Sequence, residues 1–459
     1  MVGLAASLFK AYDIRGIVDT DLTPDAVRQI GRAIGAEARI RGQTTVAIGR
    51  DGRLSGPALS AALAEGLQAS GIDVTDIGVC ATPMLYFAVY HLGLGGGVMV
   101  TGSHNPPQYN GLKMVLAGET LAGEAIQRLR QRIEADDFGP TPAKPGGIAT
   151  GAIRTAYLER ISDDIKLARP LHVVIDCGNG SPGATAPELF RRLGCHVTEL
   201  FCDVDGTFPN HHPDPSDPNN LEDLQRELAR GKADIGLAFD GDGDRLGVVT
   251  RSGKVIYPDR QLMLFAADVL SRNPGAEIIF DVKCTRHLFD WIAKHSGKPT
   301  LWKTGHSLIK AKMRETGALL AGEMSGHMFF KERWYGFDDG LYAGARLLEI
   351  LSKASDIDAV FDALPDSVNT PEMQIRVDGQ DHHALIARLQ REATFPAARE
   401  VITLDGLRVE YADGFGLVRG SNTTPVLVLR FEADDADALA RIQGEFRQVL
   451  AAAGIEAEF

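Results

Sequence analysis

Asp240-Gly241-Asp242-Gly243-Asp244-Arg245 follows the apolar run Ile235–Phe239, and its three carboxylates alternate with two glycines. Small residues between the acids let all three converge on one hard cation, and carboxylate oxygens suit magnesium or calcium. An EF-hand loop is excluded by position. With Asp240 first, the sixth residue is Arg245 instead of Gly, and the twelfth is Arg251 instead of Glu. Three like charges beside a buried strand repel strongly unless something neutralises them. Arg245 at the end of the run points to a phosphate as the cation's other ligand, because a guanidinium clamps phosphate through two parallel bonds.

Three further strings carry reactive or hydrogen-bonding side chains. Thr101-Gly102-Ser103-His104-Asn105-Pro106 follows the apolar run 98–100, so a tight turn presents Ser103 at a strand end with His104 beside it. Taken alone, the string equally fits a serine bonded to its own backbone. Gly322-Glu323-Met324-Ser325-Gly326-His327 follows the apolar segment 318–321 and suits the reading of sugar hydroxyls. Arg419-Gly420-Ser421-Asn422-Thr423-Thr424-Pro425 joins one cation to N–H and hydroxyl donors that can hold an anion. Lys303-Thr304-Gly305-His306-Ser307 and Tyr12-Asp13-Ile14-Arg15-Gly16 are weaker signals of the same kind.

The elements that must position these strings recur. A short β-branched strand, a polar turn with an Asp, an amphipathic helix, a glycine stop and a second strand appear three times. The copies run over 45–74 with a helix at 58–69, over 172–197 with a helix at 186–193, and over 277–302 with a helix at 288–294. This is the βαβ signature of mixed or parallel sheets covered by helices. The segment 138–151, rich in Gly, Pro, Ala and Thr, reads as a linker. After 364–366 the pattern changes to a strand at 373–377, a helix at 381–392, paired strands at 401–411, a strand at 424–431 and a helix at 435–452. The expected class is α/β: three similar mixed-sheet domains at 1–149, 150–253 and 254–366, and a smaller α+β domain at 367–459. A serine, a carboxylate-bound metal, a hydroxyl-reading loop and an anion loop then come one from each unit. Their economical common product is a phosphosugar site in a cleft between domains.

The 459 residues exceed what one core holds, and 44% hydrophobic with 24% charged residues fits a globular chain. A net charge of −13 argues against a nucleic-acid or anionic-membrane surface, so an anionic ligand needs locally clustered cations. No apolar run reaches the length of a membrane span, and the first ten residues lack the regions of a signal peptide. Five cysteines without a C-x-x-C exclude a zinc ribbon and suit a reducing compartment. A cytoplasmic monomer acting on small phosphosugars is the expectation.

Over its whole length the chain resembles the α-D-phosphohexomutases, from A-Y-D-I-R-G at 11–16 through T-G-S-H-N-P, D-G-D-G-D-R and G-E-M-S-G-H to R-G-S-N-T-T-P. The resemblance implies a heart-shaped molecule with a central cleft. It implies that Ser103 is the serine phosphorylated in the active enzyme, and that Asp240, Asp242 and Asp244 hold magnesium together with a phosphoserine oxygen at Ser103. Glu323 and Ser325 match the loop that bonds sugar hydroxyls, and Arg419, Ser421, Asn422 and Thr423 the loop that holds the non-reacting phosphate. Tyr12, Arg15, His104, Lys113, Arg245, Lys283, His306 and His327 match further active-site positions. The implied reaction interconverts hexose 1- and 6-phosphates of glucose and mannose through a glucose (or mannose) 1,6-bisphosphate that also acts as activator. His104, Lys113 and His327 are candidates for moving the proton, the metal, Arg245 and Lys113 for stabilising charge, and Arg15 is a further candidate catalytic residue. Met324 favours glucose and mannose over a phosphoglucosamine mutase. A phosphatase-like hydrolase or a non-catalytic phosphosugar-binding protein are the alternatives of other kinds.

Overall fold

The computed structural model describes residues 4–377, 381–422, 424–457 and 459. Its first three units repeat one sheet plan. In the first, Thr45–Arg50 lies parallel to Asp73–Val79 on one side and to Gly96–Val100 on the other, and Tyr109–Leu116 returns antiparallel to Gly96–Val100. In the second, His172–Asp176 is flanked in parallel by His196–Leu200 and Ile235–Phe239, with Leu246–Thr250 antiparallel to the latter. In the third, Glu277–Asp281 is flanked in parallel by Lys298–Trp302 and Leu320–Gly322, with Met328–Phe330 antiparallel to the latter. The three expected βαβ copies are the parallel halves of these sheets, with helices at Gly56–Ala69, Ala186–Arg192 and His287–Lys294.

Because successive side chains of a strand point to opposite faces, each central strand feeds two cores. Ala47 and Met99, Val173 and Ile175, and Ile278 and Phe280 all enter one continuous core shared by the three units. Val46, Ile48 and Val98 face a second core under helices of the first unit, Val174 a third, and Ile279 a fourth. The shared core also holds Phe87, Tyr157, Trp334 and Phe337, so the three sheets are welded by large side chains from each unit.

The C-terminal unit is an antiparallel sheet covered by helices His382–Glu392 and Ala436–Ala452. It contains a central strand, Gly414–Gly420, between Leu407–Glu410 and Val426–Ala433, which the sequence pattern does not announce. Its glycines lower strand propensity, yet Gly416 is required for packing: a Cβ there would lie 2.4 Å from the Phe446 ring of the closing helix. Two joins also differ from the compositional reading. Ile148–Thr150, within the expected linker, is a strand parallel to Asp73–Val79, so the first sheet runs to residue 150. Val255–Ile256 pairs with Leu246–Thr250, so the second sheet extends past 253.

Candidate active site

Each motif occupies the same place in its unit, the turn of the antiparallel hairpin. Residues 101–108 link Gly96–Val100 to Tyr109–Leu116, residues 240–245 link Ile235–Phe239 to Leu246–Thr250, and residues 323–327 link Leu320–Gly322 to Met328–Phe330. In the C-terminal unit, residues 421–425 link Gly414–Gly420 to Val426–Ala433. Thr423 lies outside the described residues. Contacts join the first three turns to one another, and the fourth meets the first unit at Tyr12.

Ser103 sits in the left-handed region at φ 50°, unusual for a residue with a Cβ. Its N–H donates to Thr101 Oγ1 at 2.8 Å. Its hydroxyl oxygen stands 3.0 Å from Asp240 Oδ2 and 3.2 Å from His104 Nδ1, so one proton has two possible acceptors. Burial, followed by the nearby Arg245 guanidinium, holds His104 well below the usual histidine range, which leaves its ring neutral near pH 7.

Asp240, Asp242 and Asp244 are fully buried, and each presents one carboxylate oxygen to a cluster in which the three lie within 4.8 Å of one another. Gly243, at φ 76°, supplies the left-handed turn between the last two. Asp240 Oδ1 accepts the Arg245 N–H at 3.1 Å. Asp242 Oδ2 accepts the Thr82 hydroxyl at 2.5 Å and the Lys113 ammonium at 2.7 Å, and Lys113 also bonds Asp244 Oδ2. Burial and then the charges of Asp242 and Asp244 push Asp240 well above the usual carboxylate range. Burial acts on Asp242 in the same direction, but Lys113 overcomes it and keeps Asp242 low. Lys113 in turn is raised well above its ordinary value, burial being outweighed by Asp242 and Asp244. Asp242 Oδ1 and Asp244 Oδ1 are buried without a hydrogen-bond partner. Two orphaned anionic oxygens, beside a third carboxylate crowded towards protonation, fit a divalent cation.

The third unit closes on this centre through Arg245, whose Nε donates to His327 Nε2 at 3.1 Å. His327 Nδ1 therefore carries the proton, 3.2 Å from Asp338 Oδ2 and 3.4 Å from Asp244 Oδ1. Asp338 also receives Lys310 at 2.8 Å and lies 3.6 Å from His306 Nδ1. Despite burial, Lys310 holds Asp338 well down, and burial with Lys310 holds His306 well below the histidine range. Glu323 is buried, its Oε1 accepts the Gly305 N–H, and burial raises it above the usual range. Ser325 is half-buried at the same turn.

Tyr12 joins three units. Its hydroxyl donates to Thr304 O at 2.7 Å and accepts from Asn422 Nδ2. Arg15 reaches Asn105 Oδ1 at 2.8 Å and Asp13 Oδ2 at 2.5 Å. Lys283 pairs with Glu372 at 2.8 Å, and Arg419 with Asp405 at 3.2 Å. The Ser421 hydroxyl accepts the Thr424 N–H at 3.3 Å, which folds the anion loop. The described candidates thus line one junction between four units. Sequence reading passed over Thr82, Lys310 and Asp338. Asp338-Asp339 precedes a helix and reads as a cap, and Asp339 is one, accepting the Tyr342 N–H at 2.9 Å. That capping signal hides Asp338.

Four family models match the chain in order: phosphoglucomutase/phosphomannomutase alpha/beta/alpha domain I at residues 6–140, domain II at 155–253, domain III at 257–368, and the C-terminal domain at 372–449. The chain belongs to the phosphoglucomutase/phosphomannomutase family. It is therefore a phosphohexomutase, an isomerase of hexose phosphates. It is 59% identical to a phosphoglucomutase of Neisseria meningitidis over 98% of both chains. It is 58% identical to the phosphomannomutase/phosphoglucomutase of Pseudomonas aeruginosa, over 98% of this chain and 96% of that one. A crystal structure of a phosphoglucomutase/phosphomannomutase family protein from Burkholderia thailandensis superimposes with a TM-score of 0.94, at 56% identity and 99% coverage of both. Among the described residues, no helix is long and apolar enough to cross a membrane.

Proposed function

We propose that this phosphohexomutase interconverts the 1- and 6-phosphates of glucose and mannose, with Ser103 as the phosphoryl carrier. The observation that carries the reading is the buried Ser103 hydroxyl, 3.0 Å from one of three clustered carboxylates and 3.2 Å from a neutral histidine nitrogen. Asp240, Asp242 and Asp244 are the residues that would hold magnesium. Bound there, the ion supplies the positive charge that a phosphoserine of about −1.5 to −2 needs beside three carboxylates.

Phosphoryl transfer depends mainly on positioning and on charge stabilisation. In the forward half, the sugar hydroxyl attacks the phosphorus of phospho-Ser103 and gives up its proton, the P–Oγ bond breaks, and Ser103 Oγ takes up a proton in its place. A hexose 1,6-bisphosphate results. It turns end for end, Ser103 Oγ attacks the other phosphate, the bond from that phosphorus to the sugar oxygen breaks, and the serine proton passes by way of the base to the freed sugar oxygen. His104 is the group that holds and returns this proton, since its Nδ1 faces Oγ and its ring is neutral. Lys113, locked as an ammonium, provides charge and not basicity. Glu323 and Ser325 take the sugar hydroxyls, while Arg419, Ser421, Asn422 and Thr423 hold the phosphate that is not reacting. Tyr12, Arg15, Lys283, His306 and His327 complete the lining. Glucose and mannose differ only at C2, so acceptance of both follows if the hydroxyls at C3 and C4 are the ones gripped. The relatives named above are glucose and mannose mutases, which favours this reading over a phosphoglucosamine mutase. The five free cysteines fit a cytoplasmic setting, and a monomer already contains the complete site.

The test is intact-mass measurement after incubation with magnesium and glucose 1,6-bisphosphate. One added phosphoryl group is expected on the wild-type chain and none on Ser103→Ala or in excess chelator. Absence of any gain on the wild type overturns the reading.

A further inference from the structure

Arg53 is the most completely committed side chain near the serine turn, and none of the four motifs contains it. Its guanidinium is fully buried, and each of its five N–H donors has a partner. Nε donates to Asp51 Oδ2 at 3.1 Å. Nη1 donates to Pro106 O at 2.6 Å and Tyr109 O at 2.9 Å. Nη2 donates to Ser103 O at 2.9 Å and Asn105 O at 2.5 Å. Three of the five acceptors are main-chain carbonyls of the turn that carries Ser103, and a fourth is that of Tyr109, the first residue of the strand that follows it. Asp51 holds the near side of the same turn, accepting the Thr101 hydroxyl at 2.7 Å and the Gly102 N–H at 3.1 Å. The second unit covers this pair, with the Phe208 ring 5.0 Å from the guanidinium carbon and Gly206 packed against Gly52.

A turn of this kind has no ladder to satisfy its carbonyls, and Ser103 at φ 50° would relax if it were free to do so. We infer that Arg53, seated by Asp51, is a positioning residue that fixes the backbone of residues 103–109 so that Ser103 Oγ faces the carboxylate cluster. The inference rests on Ser103 being the phosphoryl carrier. A planar fork with five donors is what the site uses. Lysine keeps the charge but offers three donors from one point and cannot span four carbonyls. Gly102 shows how tightly the fork is seated, since a Cβ there would lie 2.5 Å from the guanidinium carbon.

Arg53→Lys tests this with the full chain. In a coupled assay on glucose 1-phosphate, kcat is expected to fall about 10²-fold, the cost of a misplacement near 1 Å. KM should stay within threefold, because sugar and distal phosphate are held by the third and fourth units. The rate of Ser103 phosphorylation by glucose 1,6-bisphosphate, followed by intact mass, should fall with kcat. Ile126→Val, a core change in the same unit away from the turn, controls for lost stability and should leave both rates near wild type. If Arg53→Lys does not fold, Gly102→Ala decides. It keeps the guanidinium but forces the turn off it, and should give the same loss of kcat at constant KM. Loading and turnover within threefold of wild type in the folded variant overturn the positioning role. A wild-type chain that never loads overturns the carrier reading instead.

Discussion

Gly241→Ala probes the Ser103–Asp240 distance on which the proposed chemistry depends. Gly241 lies between two of the clustered aspartates and has no left-handed φ, so alanine costs nothing in backbone conformation there. Space is the whole issue. A Cβ would lie 2.4 Å from Ser103 O and 3.3 Å from both Ser103 C and Pro213 Cγ. Normal contact begins near 3.4 Å, so the serine turn and the carboxylate turn must separate by roughly 1 Å. The carboxylate turn cannot absorb this easily. Gly241 N–H is bound to Pro213 O at 3.1 Å, Gly241 O accepts Ser181 N–H at 3.0 Å, and Asp242 O accepts Thr82 N–H at 2.8 Å. The serine turn is held by Arg53, so the shift is shared and opens the Ser103 Oγ to Asp240 Oδ2 gap of 3.0 Å. A displacement near 1 Å costs about 10²-fold in rate, or about 2.7 kcal/mol in the barrier. Overpacking destabilises by a further ~1–3 kcal/mol. The assay is steady-state conversion of glucose 1-phosphate to glucose 6-phosphate at saturating bisphosphate, with KM and a thermal melt recorded alongside. A folded variant with kcat within threefold of wild type would refute the claim that the two turns must stay in register.

Two other perturbations have signs that the structure dictates. His211 donates from Nε2 to both oxygens of Asp176 at 3.1 Å and from Nδ1 to His212 O at 2.9 Å, which requires the imidazolium; despite burial, Asp176 raises it above its ordinary value. Its stabilisation is therefore complete below about pH 6.5 and lost as pH rises through the folded value. The thermal midpoint of wild type relative to His211→Gln should shrink with rising pH, and parallel profiles would count against the charged ring. Gly444, inside the helix Ala436–Ala452, has open space where a Cβ would go, so Gly444→Ala should stabilise that helix by about 0.8–1 kcal/mol without changing turnover. Slower amide exchange in 436–452 is the expected readout, and unchanged or faster exchange contradicts it.

The parallel halves of the first three units were legible because β-branched runs, helical periodicity and a glycine stop coincide in each, as at 45–74. So were the four motif turns, whose glycines and acids follow apolar strands. The strand Gly414–Gly420 was not, because its glycines admit close neighbours, Ile442 at Gly414, Phe446 at Gly416 and His383 at Gly420, and depress the local signal. Nor was the hairpin symmetry, which depends on antiparallel pairing between segments whose own patterns say nothing about partners. Arg53 reads locally as a polar turn residue, and only the fold brings its donors to carbonyls about 50 residues away. Asp338 was masked by the capping role of its neighbour.

The acidic balance of the chain also acquires a mechanism. A protein of net charge −13 has to draw a phosphosugar into a buried cleft without leaving naked cations there beforehand. Five cations at the junction already have an internal carboxylate: Arg15 with Asp13, Lys113 with Asp242 and Asp244, Lys283 with Glu372, Lys310 with Asp338, and Arg419 with Asp405. The desolvation of these cations is met during folding, where each is compensated by its partner. On the site assignment proposed above, an arriving phosphate exchanges with, or shares, a carboxylate and need not strip water from an exposed ammonium. Exchange keeps the net cost of binding low and costs equally little to reverse. On the mechanism proposed above, a bisphosphate that has to release, turn and rebind within one turnover needs that reversibility more than it needs tight binding.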